Sequence, residues 1–110
     1  MSVIVRTKRL PFRKDMPFPQ RLRFEHENEL YNLTYWRNSY DGAPYLKLKL
    51  VKTDELLLSV RLSEGGTHYI TKEENMGWVS FVLFVSKIDM DEKDINIKLI
   101  DRETMFLQGD

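Results

Sequence analysis

Apolar and charged residues alternate one by one through much of this chain, and this period constrains the fold more than any other feature. Leu46, Leu48 and Leu50 alternate with Lys47 and Lys49. Successive side chains of an extended strand point to opposite faces, so the leucines share one face and the lysines the other. The same period recurs in residues 21–27, 31–36 and 95–100. Each segment is therefore predicted to be a β-strand with one buried face.

Two further segments are apolar without clean alternation. Residues 78–85 are rich in β-branched and aromatic side chains, which is typical of a central strand covered on both sides. Residues 56–62 begin with three leucines, and Val60 and Leu62 then continue a period of two. We therefore predict a strand there as well, although the leucines alone could also begin a helix.

Turn residues separate these segments at short intervals. Asp41-Gly42 is a strong hairpin signal, and Gly65-Gly66 is also interpreted as a hairpin turn. Residues 72–77 are predicted to be a polar loop that could hold one helical turn, and 87–93 a short helix or an irregular loop. Turns at this spacing predict an all-β fold, either a small antiparallel sandwich or a partly closed barrel.

The first twenty residues differ from the remainder. Pro11, Pro17 and Pro19 exclude a continuous helix and a central strand. Basic residues outnumber acidic ones in 1–24, and acidic residues outnumber basic ones in 87–110. We predict an extended, basic, proline-bounded arm at residues 1–20 and a single β domain at 21–110.

Composition excludes several classes of protein. The chain has no cysteine, which removes disulfides and thiolate-ligated metal centres. Its 17 basic and 17 acidic residues cancel, so the overall basic bias of a DNA-binding module is absent. The N-terminal basic residues follow the first apolar residues, the reverse of a signal peptide, and no stretch is long enough to span a bilayer. We expect synthesis in the cytoplasm and no membrane span.

No motif predicts catalysis, a cofactor or a metal. Nucleophile elbows, phosphate loops and dinucleotide fingerprints are absent from the sequence, so we expect no enzyme activity. The carboxylates in 89–94 lack the glycine and glutamate positions of a calcium loop and are interpreted as a solvated turn. His26 and His68, the 2 histidines, are interpreted as ordinary surface or core residues.

Aromatic residues within the basic N-terminal segment can be explained in two ways. Basic residues with interleaved aromatics can bind single-stranded nucleic acid, but acidic residues dominate the remainder of the chain, so we favour contact with a protein partner. Trp36 and Tyr40 lie beside the predicted Asp41-Gly42 turn, where exposed aromatics favour an interface, although they could equally orient the turn. The candidate partner-binding residues are Arg6, Lys8, Arg9, Phe12, Arg13, Lys14, Phe18, Trp36 and Tyr40.

One set of motifs resembles a known family. Leu10-Pro11-Phe12 precedes a strand containing Phe24, and Tyr31-x-Leu33-x-Tyr35-x-x-Asn38 is followed by a turn and an alternating strand. Over residues 3–62 this resembles the small plug-type proteins of contractile-tailed bacteriophage baseplates. The resemblance implies a non-enzymatic virion component at the baseplate hub, with no catalytic residues and no cofactor.

The resulting hypothesis is a structural component of a bacteriophage tail or baseplate, present in multiple copies. Its arm would become ordered on a neighbouring subunit, with Phe12 and Phe18 as apolar anchors and its basic residues on that subunit's carboxylates. A phage-encoded inhibitor or adaptor that binds one host protein is the alternative. A nucleic-acid-binding β domain is a third, less favoured hypothesis.

Overall fold

The computed structural model describes residues 7–76 and 78–101, which form two four-stranded antiparallel sheets. The strands are β1 (Thr7–Arg9), β2 (Gln20–His26), β3 (Glu29–Arg37), β4 (Pro44–Leu50), β5 (Leu56–Arg61), β6 (Thr67–Thr71), β7 (Val79–Asp89) and β8 (Asp94–Asp101). A single 3-10 turn occupies Glu73–Asn75, within the predicted loop. The two sheets pack face to face without closing into a barrel, so the predicted all-β sandwich is confirmed.

The first sheet contains consecutive strands in the order β2-β3-β4-β5. Leu33 lies opposite Leu48, and this register places the alternating residues of both strands on the same face. Tyr31, Leu33 and Tyr35 on β3 and Leu46, Leu48 and Leu50 on β4 are almost completely buried. The leucine–lysine alternation therefore separates core from surface as predicted.

The second sheet has the order β1-β8-β7-β6. Alternate residues of β7 and β8 complete the core, namely Phe81, Leu83, Val85, Ile95, Ile97 and Leu99. β7 is an interior strand, as predicted, but the described residues place no third layer over its outer face. There, Val82 is shielded between its cross-strand neighbours Tyr69 and Ile100, while Tyr69 itself is 64% exposed.

Two connections differ from their predicted form. Gly65-Gly66 does not close a hairpin, because β5 pairs with β4 in one sheet and β6 pairs with β7 in the other. This segment carries the chain from one sheet to the next, and Gly65 adopts a φ of +84°. Residues 87–93 are not helical, because β7 continues to Asp89 and a turn ending at Lys93 leads into β8. The Asp41-Gly42 turn does connect the antiparallel pair β3 and β4, with Gly42 at a φ of +70°.

Residues 7–20 are part of the sandwich and do not form the predicted separate arm. β1 pairs with β8 at the edge of the second sheet, and Leu10 is buried in the core. The Gln20 side-chain amide donates hydrogen bonds to the carbonyls of Arg13 and Met16, and its oxygen accepts one from the Arg13 N–H. The prolines exclude regular structure between β1 and β2, but these contacts hold the segment against the domain. Residues 1–6 lie outside the described part of the chain, as do 102–110 of the predicted β domain.

Candidate functional site

The basic residues predicted to meet a partner are engaged within the chain. Arg9 forms an ion pair with Asp94 at 3.1 Å, and Lys14 approaches the same carboxylate at 3.7 Å. Partial burial raises the pKa of Asp94, but the charges of Lys14, Lys87 and Arg9 outweigh this effect and hold the pKa below its usual value. Arg13 pairs with Asp15 at 2.9 Å, while the Lys8 ammonium donates to the Glu25 carbonyl. Arg6 lies outside the described residues.

Phe12 and Phe18, the predicted anchors for a neighbouring subunit, pack against this protein's own core. The Phe12 ring meets Tyr35 edge to face, with centroids 5.0 Å apart, and lies 6.2 Å from the Phe18 ring. The Lys93 ammonium lies over the Phe18 ring at 5.6 Å from its centroid. The two phenylalanines therefore fasten residues 10–20 to the sandwich.

Trp36 and Tyr40 lie at one end of the first sheet but occupy different environments. Tyr40 is 99% exposed at the hairpin tip, and its N–H donates to the Asn38 side chain at 2.7 Å. Trp36 is half-buried and stacks on Tyr45, with ring centroids 5.4 Å apart. Asp41 accepts hydrogen bonds from the Ala43 N–H and the Tyr45 hydroxyl, and the Ala43 bond is the main reason that its pKa is lowered. The tip is thus held by local hydrogen bonds and presents one fully exposed aromatic ring.

The outer side of the first sheet collects basic residues from three strands. Cross-strand pairing places Arg21 beside Thr34 and Lys47, and Arg23 beside Asn32 and Lys49. Arg61 lies in the row of Tyr45 and Trp36. We call this surface the basic face; its basic members are Arg21, Arg23, Lys47, Lys49 and Arg61. Its central part is a shallow depression of about 540 Å³ lined by four of these basic residues.

Few carboxylates neutralise the basic face. The Arg23 guanidinium donates to the neutral Asn32 side chain at 3.1 Å, and Lys49 approaches Asp54 at 3.4 Å. Among the described residues, Arg21 and Lys47 have no ion pair. Sequence reasoning missed this surface because Arg21 and Arg23 were grouped with the N-terminal segment. The usable signal was the pair of alternating basic residues on β2 and on β4, which a β2-β3-β4 meander places on one side.

A second group of polar side chains lies near the opposite end of the sandwich from the hairpin tip. Donor atoms of His26, Glu27 and Asp101 all lie within 4.8 Å of one another. His26 was interpreted from the sequence as an isolated histidine, and no sequence signal connected it with Asp101. Among the described residues, these three side chains form a group whose arrangement suits a metal ion.

The fold defines the class of protein, a small antiparallel β-sandwich, and the basic face is its main candidate for a binding surface. Comparison with protein-family models, curated proteins and solved structures gave no match. None of the helical segments in the described part of the chain is long and apolar enough to cross a membrane.

Proposed function

We propose that the protein is a non-enzymatic assembly component that binds an acidic protein surface on its basic face. The observation that carries the proposal is the concentration of five basic side chains on one side of one sheet in a chain with zero net charge. Patches of one charge sign steer and orient a partner of the opposite sign. The exposed ring of Tyr40 and the Trp36–Tyr45 pair lie at one end of this face, where aromatic rings supply apolar contact area.

We propose further that the assembly is a bacteriophage tail or baseplate. This part rests on the resemblance of residues 3–62 to plug-type baseplate proteins. The motif Tyr31-x-Leu33-x-Tyr35 lies on β3, an interior strand of the first sheet. If the proposal is correct, peptides of this protein occur at a constant copy ratio in purified phage particles. Their absence from particles, together with a complex with one host protein, would favour the adaptor alternative.

A charge reversal tests the docking surface directly. Lys47→Glu places a negative charge in the middle of the basic face and is expected to reduce incorporation into particles at least about tenfold. Lys98→Glu makes the same change on an exposed position of β8 in the other sheet and should leave incorporation unchanged. Both variants should melt close to the wild type. Normal incorporation of Lys47→Glu would contradict docking on the basic face.

A single-stranded nucleic acid is the second candidate ligand, and one observation favours it. The stacked Trp36–Tyr45 pair lies in the same cross-strand row as Arg61, beside the basic depression. Bases stack on aromatic rings, and phosphates pair with basic side chains. Binding of a fluorescent oligothymidylate should then weaken steeply with salt, and Lys47→Ala should lower the slope by about one. An oligonucleotide that does not bind at low salt would dismiss this candidate.

A further inference from the structure

Near His26, where the two sheets meet, buried polar atoms lie close together with few hydrogen-bond partners. His26 is the last residue of β2, and Asp101 is the last residue of β8 in the facing sheet. Glu27 follows His26 in a left-handed backbone conformation with a φ of 51°. This conformation ends the strand alternation, so two consecutive side chains reach the same point. The His26 Nε2 and Glu27 Oε1 atoms are 4.0 Å apart.

Two of these side chains are buried with a polar atom that makes no hydrogen bond. The His26 side chain is 10% exposed, and Asp101 is 5% exposed. His26 Nε2 and Asp101 Oδ1 are both inaccessible to solvent, and neither has a hydrogen-bond partner among the described residues. Buried polar groups are nearly always paired, because removing them from water without a partner costs free energy. A metal ion that accepts an electron pair from each atom would satisfy both of them.

The lysines near this group are engaged elsewhere. The Lys8 ammonium donates to the Glu25 carbonyl and lies 5.8 Å from the Phe24 ring centroid. The Lys72 ammonium lies 5.2 Å from the Tyr31 ring centroid. Neither forms an ion pair with Asp101 or Glu27 within the described residues. Neither carboxylate therefore has a lysine as an ion-pair partner in this part of the sandwich.

We propose that His26, Glu27 and Asp101 bind a divalent first-row transition-metal ion, with Zn²⁺ the best fit. One imidazole nitrogen and two carboxylate oxygens form a donor set that Zn²⁺ accepts, whereas Ca²⁺ and Mg²⁺ prefer oxygen alone. A divalent ion balances the two carboxylates and gives both orphaned atoms a partner. Histidine imidazole nitrogens are among the commonest protein ligands of such ions.

The surroundings provide access and a fourth position. A cleft of about 260 Å³ opens beside His26 and Asp101, with Thr7, Lys8 and Leu99 as its other lining residues. Water entering the cleft can complete a four-coordinate site. Glu27 lies on an exposed turn, so its carboxylate can move inward to the distance of about 2 Å that zinc–oxygen bonds require. The bound ion would tie the β2–β3 hairpin of one sheet to the end of β8 in the other.

Calorimetric titration of the untagged, chelator-treated full chain with Zn²⁺ tests the proposal. We expect one ion per chain and a melting temperature that rises with Zn²⁺. His26→Gln and Asp101→Asn should each weaken Zn²⁺ binding by about tenfold or more, and Glu27→Gln should weaken it without disturbing the fold, because this side chain is exposed. Co²⁺ substitution should produce visible absorption that His26→Gln abolishes.

Matched variants separate this site from adventitious binding. His68→Gln removes the other histidine, and Glu25→Gln removes the neighbouring carboxylate that points to the opposite face of β2. Both should bind Zn²⁺ like the wild type, and circular dichroism without metal should show that every variant retains strand structure. Absence of Zn²⁺ binding, or binding that Glu27→Gln and His26→Gln leave unchanged, would overturn the proposal.

Discussion

Gln20→Leu is expected to lower the free energy of unfolding by about 2–4 kcal/mol, because three hydrogen bonds of a fully buried side chain are lost at once. Leucine preserves most of the side-chain volume. The lost stability therefore reports the hydrogen bonds of the amide and not the creation of a cavity. The amide joins β2 to the Arg13 and Met16 backbone, and we therefore expect residues 10–19 to become loosely attached. Chemical denaturation gives the free energy, and hydrogen exchange at the Arg13 N–H reports local opening.

The adjacent residue provides a matched control for this prediction. Arg21→Ala alters an exposed side chain on the same strand and should change the free energy of unfolding by no more than about 0.5 kcal/mol. A Gln20→Leu variant as stable as Arg21→Ala would show that water replaces the amide without cost. The N-terminal segment would then be held by its other contacts, which include Leu10, the two phenylalanines and the hydrogen bond from the Tyr35 hydroxyl to the Pro11 carbonyl.

Alkaline pH is expected to destabilise the protein through two buried tyrosines. Tyr31 and Tyr35 are fully buried, and burial raises the pKa of both phenols above the ordinary value near 10. Above about pH 10 the unfolded chain loses these protons while the native protein retains them, so stability falls as the pH rises. Below that pH both tyrosines are protonated in the native and the unfolded chain, and stability does not depend on their titration. For each tyrosine, the free energy of unfolding should be about 1.4 kcal/mol lower at about pH 11 than at neutral pH.

Tyrosine-to-phenylalanine variants isolate this effect from the titration of other groups. Tyr31→Phe should be nearly neutral at pH 7, because the Tyr31 hydroxyl has no hydrogen-bond partner in the described part of the chain, and should remove its share of the alkaline loss. Tyr35→Phe should cost about 1 kcal/mol at pH 7, because the hydroxyl donates to the Pro11 carbonyl at 3.0 Å, but it should also flatten the alkaline slope. Tyr40→Phe, at a fully exposed position, should alter neither quantity. Equal slopes for Tyr31→Phe and Tyr40→Phe would contradict the prediction.

Local patterns were sufficient to predict strands wherever one face is buried and the other is wet. Leu46, Leu48 and Leu50 are buried and the lysines between them face outward, because a period of two has only one arrangement that hides the leucines. Such patterns do not predict which strands pair when the strands are distant in sequence. Gly65-Gly66 has the composition of a hairpin, but whether the next strand joins the same sheet depends on where β7 lies.

For the N-terminal segment too, the local sequence did not predict contacts with distant strands. Pro11, Pro17 and Pro19 correctly excluded helix, but proline content does not say whether an irregular segment packs. That outcome depends on Leu10, Phe12 and the Gln20 amide finding partners on other strands.

The candidate sites also depend on distant pairing. The lysines of β4 were visible as a surface stripe, yet the basic face exists only because β3 places β2 beside them in register. The group around His26 requires the end of β8 to meet the end of β2 across the sandwich. The first juxtaposition is indicated only by the alternating basic residues of β2 and β4, and the second has no signature in consecutive residues.

The position of β1 has a consequence for how the chain is completed during translation. β1 is the first described strand to leave the ribosome, but its partner, β8, is the last. The backbone amides of β1 therefore have no strand partner while β2 to β5 pair. Those four strands are adjacent in sequence and can pair locally. A nascent chain halted before residue 94 should carry the first sheet and a β1 strand without its partner, because β1 can pair only after β8 has been synthesised.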